Sequence, residues 1–474
     1  MRIVIDMQGA QTDSRFRGIG RYTLSLVQAL VRNQAQHDIV LVLNGRFEHT
    51  LEPIRQAFRD ILRPEKIRVW TAPGPVGLHA PHNQGRHELA ILLRESFMAS
   101  LSPDIVMITS FFEGYVDDAV TSVRHHDVNT PICVIAYDFI PLLNPVQYLD
   151  PHPDYADYYK NKVRQFRTAD HFLAISESSR LETVNHLSVP PLRTSNIGAA
   201  CEPFFKPMTV PASEQQALLN KWGVTQKFML YTGGADERKN LPRLVQAIAS
   251  LPVDIQQSHQ LLFAGKLSDT QQSELKSIAN AHGLVEQALL FTGFVSDMEL
   301  VMAYNLCQLF IFPSWHEGFG LPPLEAMACG APTIAANTSS LPEVIGWPDA
   351  LFDPLDVHAM AQKIHQSLTD SVFRAQLVAN AQVQARKFSW DASARQAIQA
   401  IESAVQRPIT DQIPAQPPIG TLAETPPSLL RAAVQVLQKH RMLSDHDVDS
   451  LAACMAQNEQ QLGLPMPTEM TPPN

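Results

Sequence analysis

The chain has 474 residues, too many for one hydrophobic core, so we expect two domains and an extension. Its formal net charge of −10 argues against a nucleic-acid-binding protein, which normally carries a basic excess. Five scattered cysteines, and apolar runs that all stop short of a membrane span, indicate a cytoplasmic protein, attached at most peripherally to the inner face of a membrane.

The first half of the chain alternates short apolar runs with amphipathic stretches, a pattern typical of βαβ units around a parallel sheet. The predicted strands are Arg2–Ile5, Ile39–Leu43, Ile67–Trp70, Ile105–Ile108, Cys133–Tyr137 and His171–Ile175. Helices are predicted between them, notably Tyr22–Arg32 and His87–Ser100. A proline-rich stretch at 203–211 marks a hinge. We therefore predict an N-terminal α/β domain over residues 1–205.

A second alternation of the same kind begins at Phe228. Its predicted strands are Phe228–Thr232, Gln260–Ala264, Ala288–Thr292, Leu309–Phe312 and Pro332–Ala335. We expect Asn240 to cap the first helix of this half, and Ser340 with Glu343 has the spacing of a capping box. An Ala-rich helix ends at about residue 405, so the second domain is predicted over residues 206–405.

The composition changes again beyond the second domain. Residues 406–427 are rich in Pro, Gln and Thr without periodicity, which predicts a linker. Residues 428–464 are predicted to form a helical pair, and residues 465–474 a disordered tail. The first helix of the pair carries an apolar stripe formed by Leu429, Leu430, Ala433, Val434 and Leu437. The stripe suggests a protein partner for this pair.

The segment from Phe312 to Gly330 carries the strongest chemical signal. Glu317 is predicted in the loop after a strand, and Glu325 in the first turn of the next helix, a place where ligands bind in open α/β sheets. The N–H groups that can hold an anion at this helix start belong to Gly318, Phe319, Gly320 and Leu321. Carboxylates beside an anion site suit a phosphorylated ligand rich in hydroxyl groups.

A second candidate site follows the first strand of the second domain. Gly233 and Gly234 supply a glycine turn, and Arg238 and Lys239 supply two positive charges just before a helix. Backbone N–H groups and cations together form an arrangement suited to holding phosphate.

These two segments resemble the signature of family 4 retaining glycosyltransferases, which have the GT-B fold of two facing Rossmann-like domains. The spacing of the two glutamates, the Gly-Phe-Gly turn and the following Glu-Ala-Met-Ala-Cys-Gly-Ala-Pro all agree. The resemblance covers roughly residues 1–405, and it implies that the Ala-rich helix ending near residue 405 is a crossover helix that returns to the N-terminal domain. The run from Asp6 to Tyr22 is similar to bacterial mannosyltransferases that assemble O-antigen or exopolysaccharide. The implied fold class is α/β, GT-B, with parallel sheets and a C-terminal helical extension.

The resemblance implies a role for each matching position of the donor site. Glu317 would contact the donor sugar, Glu325 the nucleotide ribose, and Lys239 the diphosphate. The family's arginine falls on Gly234, so Arg238 would have to supply the missing charge. The loop positions expected to border the donor are Gly18, Gly20, Gly233, Gly234, Lys266 and Val295.

The acceptor side is expected in the first domain. Tyr137 takes the place of the family's sugar-contacting histidine, so no catalytic histidine is assigned. Asp138 is a candidate for positioning an acceptor or sugar hydroxyl. Glu113 and Arg21 are expected to line the acceptor side.

The activity implied is a retaining, metal-independent hexosyl transfer from a nucleotide diphosphate sugar to a growing glycan or lipid-linked acceptor. The N-terminal likeness favours mannose and GDP-mannose, and no cofactor or metal site is expected. The missing arginine and histidine leave open a non-catalytic GT-B scaffold of a polysaccharide assembly complex. A nucleotide-sugar epimerase is the other alternative.

The segment Tyr158–Arg167 combines basic and aromatic residues. It predicts either a surface helix with an inward aromatic face or a helix that docks to anionic lipid or a pyrophosphate-linked acceptor.

Overall fold

The structure, a computed structural model, describes residues 1–16, 18–127, 129–406, 425–440, 442 and 444–462. They fold as two compact units. The first unit contains Met1–Ile175, Arg180–Ile197 and the described residues from Asp391 onward, and the second contains Ser176–Ser179 and Gly198–Trp390. Most of the predicted linker and the predicted tail lie outside the described residues.

The first unit is built on a parallel sheet. Its strands are β1 Arg2–Asp6, β2 Asp38–Asn44, β3 Ile67–Trp70, β4 Ile105–Ile108, β5 Ile132–Ala136, β6 His171–Ala174 and β7 Thr194–Asn196. Within the described part of the chain their order is β3-β2-β1-β4-β5-β6-β7, and each neighbouring pair is parallel. The sequence predicts all of these strands except β7, a short polar edge strand without an apolar pattern.

Helices alternate with the strands of this sheet along the chain. They are α1 Gly18–Arg32, α2 Glu48–Phe58, α3 Gln84–Ser100, α4 Ile140–Leu143, α5 Pro145–Tyr148, α6 Pro153–Phe166 and α7 Glu177–Leu187, whose first residues belong to the second unit. The predicted loop at Gly18–Arg21 is wrong, because these residues form the first turn of α1. A Cβ on Gly20 would lie 2.1 Å from the Cα of Arg15. The glycine therefore permits a close approach within the chain itself.

The second unit has its own parallel sheet. Its strands are β8 Lys227–Thr232, β9 His259–Ala264, β10 Leu289–Phe291, β11 Leu309–Phe312, β12 Thr333–Ala336 and β13 Leu351–Phe352. Across the described residues their order is β10-β9-β8-β11-β12-β13. The two-residue β13 is the one that the sequence does not predict. Since β8 pairs with β9 on one side and β11 on the other, the strand order reverses between β8 and β11.

The helices of this unit lie between and after the strands. They are α8 Ala212–Trp222, α9 Leu241–Ala249, α10 Val253–Ser258, α11 Asp269–Ala281, α12 Asp297–Leu306, α13 Leu321–Ala328, α14 Leu341–Ile345, α15 Val357–Thr369 and α16 Ser371–Ala385. The next helix, α17 Trp390–Val405, belongs to the first unit from Asp391 onward.

Two C-terminal helices, α18 Thr425–Lys439 and α19 Asp445–Leu462, complete the first unit. Ala433 and Leu437 of α18 are buried in the core of that unit, together with residues of α3. In α19, the Asn458 side chain accepts a hydrogen bond from the Thr71 N–H (2.8 Å) and donates one to the Thr71 carbonyl (3.0 Å). Two residues of the predicted apolar stripe, Ala433 and Leu437, are therefore buried within the chain, whereas Val434 of the same stripe is exposed. In the part of the chain that the structure describes, every helix is too short or too polar to cross a membrane.

Candidate functional site

The loops after β8 and β11 begin at the carboxyl edge of the second sheet, where the strand order reverses. Connections on the two sides of such a reversal lead away from each other and leave a crevice in which α/β proteins bind ligands. The β8 loop contains Gly233 to Asn240, and the β11 loop contains Glu317. The sheet topology thus brings the two predicted segments to the same place.

Three charged side chains meet in this crevice. The Nζ of Lys239 lies 2.6 Å from the Oε1 of Glu317, and an Nη1 of Arg238 lies 2.7 Å from the same oxygen. The side chains of Glu317 and Lys239 are 10% and 12% exposed, so both charges are largely removed from water. Arg238 also donates to the His316 carbonyl at 2.9 Å. Arg238 therefore stands beside Lys239 as the second cation, as the sequence suggests.

The positive charges of Lys239 and Arg238 determine the protonation state of the Glu317 carboxyl group. Burial opposes the charge of Glu317, but Lys239 and Arg238 outweigh it and lower the pKa of the carboxyl to about 2. Burial lowers the pKa of the Lys239 ammonium, and Glu317 partly opposes that effect. At neutral pH Glu317 is ionised and accepts hydrogen bonds, so it is a poor proton donor.

Serine hydroxyls fix the carbonyl groups of the loop after Glu317. Ser340 donates to the carbonyls of Glu317 (3.0 Å) and Phe319 (2.7 Å), and Ser176 donates to that of Gly318 (2.6 Å). With three successive carbonyls held in this way, the backbone of the turn has a defined orientation.

The predicted capping box at Ser340 and Glu343 is wrong. The hydroxyl of Ser340 makes no cap hydrogen bond to α14, because it is used by the loop carbonyls. Glu343 accepts hydrogen bonds from the N–H groups of Glu177 (3.0 Å) and Ser178 (3.2 Å).

The N–H groups of the same turn are oriented differently from its carbonyls. Those of Gly318, Phe319, Gly320 and Leu321 donate to none of the residues that the structure describes. Gly320 has a φ of 104°, which favours glycine, and a Cβ there would lie 2.8 Å from Leu341. These donors start α13, where the helix dipole favours an anion.

Glu325 lies in the second turn of α13 and not in the first turn as predicted, and it is held by a residue that sequence reasoning missed. The hydroxyl of Tyr304 donates to Oε2 of Glu325 at 3.0 Å and lies 3.0 Å from the hydroxyl of Thr232, at the end of β8. Burial, followed by the charge of Glu325, raises the pKa of Tyr304 well above its usual value. In the sequence Tyr304 is one apolar position of a helix, and no spacing signal distinguishes it.

Asn240 is the N-cap residue of α9, but its side chain joins the loops instead of capping the helix. Its φ is 60°, and the structure shows no cap hydrogen bond from its side chain. Its Nδ2 donates to the carbonyls of Pro313 (3.1 Å) and Pro354 (2.7 Å). The predicted N-cap position is therefore confirmed, but the side chain makes no cap hydrogen bond, because its amide satisfies two buried carbonyls at the carboxyl edge of the sheet.

Glycines cluster where β8, β9 and β10 end. Gly233 and Gly265 have φ values of 132° and 146°, and a Cβ on Gly265 would lie 2.3 Å from the Gly233 carbonyl oxygen. Gly234, in contrast, has no atom within 4 Å of an added Cβ. Beside this cluster, Lys266 is exposed and Val295 is half-buried.

The acceptor-side candidates lie in the first unit. The carboxylate of Glu113 accepts hydrogen bonds from Ser14 (2.8 Å) and Ser110 (2.9 Å), where the strand order reverses between β1 and β4. Asp138 accepts the Ile140 N–H at 3.2 Å, near the start of α4.

Two further predicted positions lie near α1. The hydroxyl of Tyr137 donates to the Thr109 carbonyl at 3.0 Å, and its ring packs edge-on against Tyr22. Tyr137 is thus part of the packing of the unit. Arg21 is half-buried in the first turn of α1, the turn that also contains Gly18 and Gly20.

Comparison with known proteins identifies the second unit. Residues 215–384 match a family model described as glycosyl transferases group 1. This part of the chain belongs to that family. The chain is 36% identical over 459 residues to the serotype-specific mannosyltransferase WbdA of Escherichia coli, covering 97% of this chain and 53% of the relative. It therefore spans about half the length of that glycosyltransferase.

Two further proteins extend the comparison. The O-antigen chain mannosyltransferase B of Escherichia coli is 34% identical over 257 residues, which cover 52% of this chain and 66% of that protein. The crystal structure of Anabaena HepE in complex with UDP and glucose matches with a TM-score of 0.59 and 18% identity, covering 85% of this chain and 100% of HepE. The likeness to HepE concerns the fold alone. The predicted resemblance to O-antigen mannosyltransferases and the predicted GT-B fold class are confirmed.

Proposed function

We propose that the chain is a retaining glycosyltransferase that transfers mannose from GDP-mannose to a growing glycan or lipid-linked acceptor. The observation that carries the proposal is the contact of Lys239 and Arg238 with Glu317 at the carboxyl edge of the second sheet. The mannosyltransferase names of two relatives support the choice of sugar.

The donor diphosphate would bind where cations and backbone donors coincide. Lys239 and Arg238 provide two positive charges against the one negative charge of Glu317, and the four N–H groups at the start of α13 add partial positive charge. An incoming diphosphate would share the two cations with Glu317. Because these groups can balance the leaving group's charge, we propose that neither a metal ion nor a cofactor is needed.

The chemistry proposed is a same-face substitution. The bond from the sugar C1 to the phosphate oxygen breaks, and the acceptor oxygen forms a bond to C1 on the same face. The acceptor's proton passes to the departing phosphate oxygen, whose charge Lys239 and Arg238 stabilise. Ionised Glu317 accepts a hydrogen bond from a donor-sugar hydroxyl, and Glu325 accepts one from the ribose.

The acceptor would be positioned by groups of the first unit. Asp138, Glu113 and Arg21 are the candidates, since Asp138 and Glu113 follow strands β5 and β4 and Arg21 lies in the first turn of α1. The reaction is proposed to take place in the cytoplasm, at the inner face of the membrane when the acceptor is lipid-linked. All five cysteines are free thiols, in agreement with a reducing compartment.

The proposal is tested with purified protein, GDP-mannose and a mannose-terminated acceptor. We expect mannosyl transfer with the anomeric configuration of the donor kept, as read by NMR of the product. An epimerised sugar formed from donor alone would identify an epimerase. A folded protein that turns over none of a panel of nucleotide sugars, with or without partner proteins, would identify a scaffold.

The role of Glu325 is tested by calorimetric titration with GDP-mannose. We expect Glu325→Ala to weaken binding by about tenfold, the equivalent of ~1.4 kcal/mol for a hydrogen bond to a charged group. The matched control is Glu274→Ala, which removes an exposed carboxylate from α11 of the same unit. Undiminished affinity in Glu325→Ala would contradict the ribose contact.

A further inference from the structure

The first unit contains a pocket that is separate from the crevice of the second unit. Its volume is about 460 Å³, within the range of about 300–1,000 Å³ that small-molecule sites occupy. Its walls are α3, α6 and the loops that contain Leu78 and Tyr115. It is lined by residues of the first unit alone, and none of the residues assigned above to the donor or acceptor lines it.

Helix α6 lines one wall with groups that bind hydroxyls. Asp154, Asp157 and Asn161 are exposed on consecutive turns of that helix and line the pocket. Carboxylate oxygens accept hydrogen bonds, and the amide nitrogen of Asn161 donates them, while the amide oxygen of Asn161 already accepts one from Arg164. Such a wall matches a ligand with several hydroxyl groups.

Aromatic rings form another part of the wall. Tyr115 and Tyr158 lie with their ring centroids 5.1 Å apart. Tyr158 is buried, so of the two rings it is the half-buried Tyr115 whose apolar, rigid face suits the C–H face of a sugar ring. A ligand with hydroxyl groups at its edge and an apolar face fits both walls.

The lysine that lines the pocket, Lys162, already forms hydrogen bonds within the protein. Lys162 is 3% exposed, and its Nζ donates to the carbonyl and hydroxyl oxygens of Thr121 at 2.6 and 2.7 Å. Its ammonium also lies 5.0 Å from the centroid of the Phe111 ring. A phosphate would therefore meet a buried lysine with two of its three N–H donors in use and, on α6, two exposed carboxylates.

A histidine of α3, His87, adds a hydrogen-bond acceptor to the lining of the pocket. The Nδ1 of His87 lies 3.0 Å from the Val76 carbonyl, to which it donates. Burial lowers the pKa of His87 to about 4, with a smaller contribution from Lys162, so the ring is neutral at pH 7. Its Nε2 is then a hydrogen-bond acceptor on α3.

We propose that this pocket binds a neutral hexose unit of a glycan, as a second carbohydrate site. Its lining contains none of the donor or acceptor candidates, although the hydroxyl of Tyr158 donates to the backbone carbonyl of Glu113. The choice of mannose as the hexose rests on the proposed function. The pocket chemistry does not favour the docking to anionic lipid or pyrophosphate that the basic residues of the segment suggest, since Lys162 is buried and the pocket face of α6 is acidic.

The test is binding of a mannose trisaccharide to the full chain without donor, measured by titration calorimetry and saturation-transfer NMR. The variant combines Asp157→Ala with Asn161→Ala, both at exposed helix positions that tolerate alanine. We expect at least tenfold weaker binding. The matched control is Lys160→Ala, which changes an exposed residue of α6 that does not line the pocket and should leave affinity unchanged.

Other outcomes separate this proposal from the transfer reaction. Equal trisaccharide affinity of the double variant, with an unchanged thermal unfolding curve, would overturn the pocket. Tighter binding of mannose 1-phosphate than of the trisaccharide at this pocket, lost in the double variant, would also overturn it in favour of an anion site. GDP-mannose binding should stay unchanged in the double variant. Failure of GDP-mannose to bind any form of the protein would count against the proposed function alone.

Discussion

Lys239 and Glu317 are 78 residues apart in the chain, yet their Nζ and Oε1 atoms lie 2.6 Å apart. The pair joins the loops that follow β8 and β11. Because both side chains are largely buried, removing one partner leaves a charge that water cannot fully solvate.

A double-mutant cycle measures the coupling energy between Lys239 and Glu317. Lys239→Met leaves Glu317 with Arg238 alone, and we expect it to lower the free energy of unfolding by about 1–3 kcal/mol. In the Glu317→Gln background the same substitution should cost less, which gives a coupling energy of about 0.5–3 kcal/mol from urea unfolding. A coupling energy near zero would show that the contact is not formed in solution.

In the family motif an arginine stands where this chain has Gly234. The variant Gly234→Arg tests what that difference does to donor binding. An added Cβ meets no atom within 4 Å there, so we expect the variant to fold with unchanged stability. The new guanidinium would add a charge-assisted hydrogen bond to the diphosphate, worth about 1.5–3 kcal/mol, or roughly tenfold or more in affinity for GDP-mannose. Gly234→Ala serves as the matched control without the charge. A weaker GDP-mannose affinity in Gly234→Arg than in Gly234→Ala would contradict a diphosphate site here.

Gly20→Ala tests the packing of α1. In an ordinary helix, replacing glycine by alanine gains about 1 kcal/mol. Here the new Cβ would lie 2.1 Å from the Arg15 backbone, so we expect a loss of about 1–3 kcal/mol in thermal or urea unfolding. A stabilised Gly20→Ala variant would mean that the turn before α1 moves away at little cost.

The buried Lys162 predicts a pH dependence of stability. Burial, followed by the charge of Arg94, lowers its pKa to about 7 in the folded chain, against about 10.4 in the unfolded chain. Between these values the unfolded chain binds more protons, so stability rises with pH. The difference in unfolding free energy between the native chain and Lys162→Met should rise above pH 7, at up to about 1.4 kcal/mol per pH unit, and stay flat below pH 6. A difference independent of pH would contradict the lowered pKa.

Most of the fold could be predicted because its signals are local. Each of the strands β1 to β6 and β8 to β12 is predicted from an apolar run of only a few residues. The strands missed, β7 and β13, are edge strands of three and two residues with little or no apolar pattern to detect. Their place depends on the neighbouring strand rather than on their own composition.

The site could be predicted less completely, for a physical reason. Glu317, Glu325 and Lys239 stand in motifs whose spacing is visible in the sequence. Their supporting contacts are long-range, such as the hydrogen bond from Tyr304 to Glu325. Asn240 and Ser340 illustrate the same limit, since local rules predict helix caps but distant carbonyls take their hydrogen bonds.

The hydrogen bonds between Asn458 and Thr71 have a consequence for biosynthesis. Asn458 presents an amide to the backbone just beyond β3 in the way that another strand would, and α19 lies along that border of the sheet. During synthesis on the ribosome, β3 is made almost four hundred residues before Asn458 of α19. Until α19 has been made, the outer backbone groups of β3 can pair with another chain. Protection of this border against aggregation is thus acquired only after Asn458 has been made.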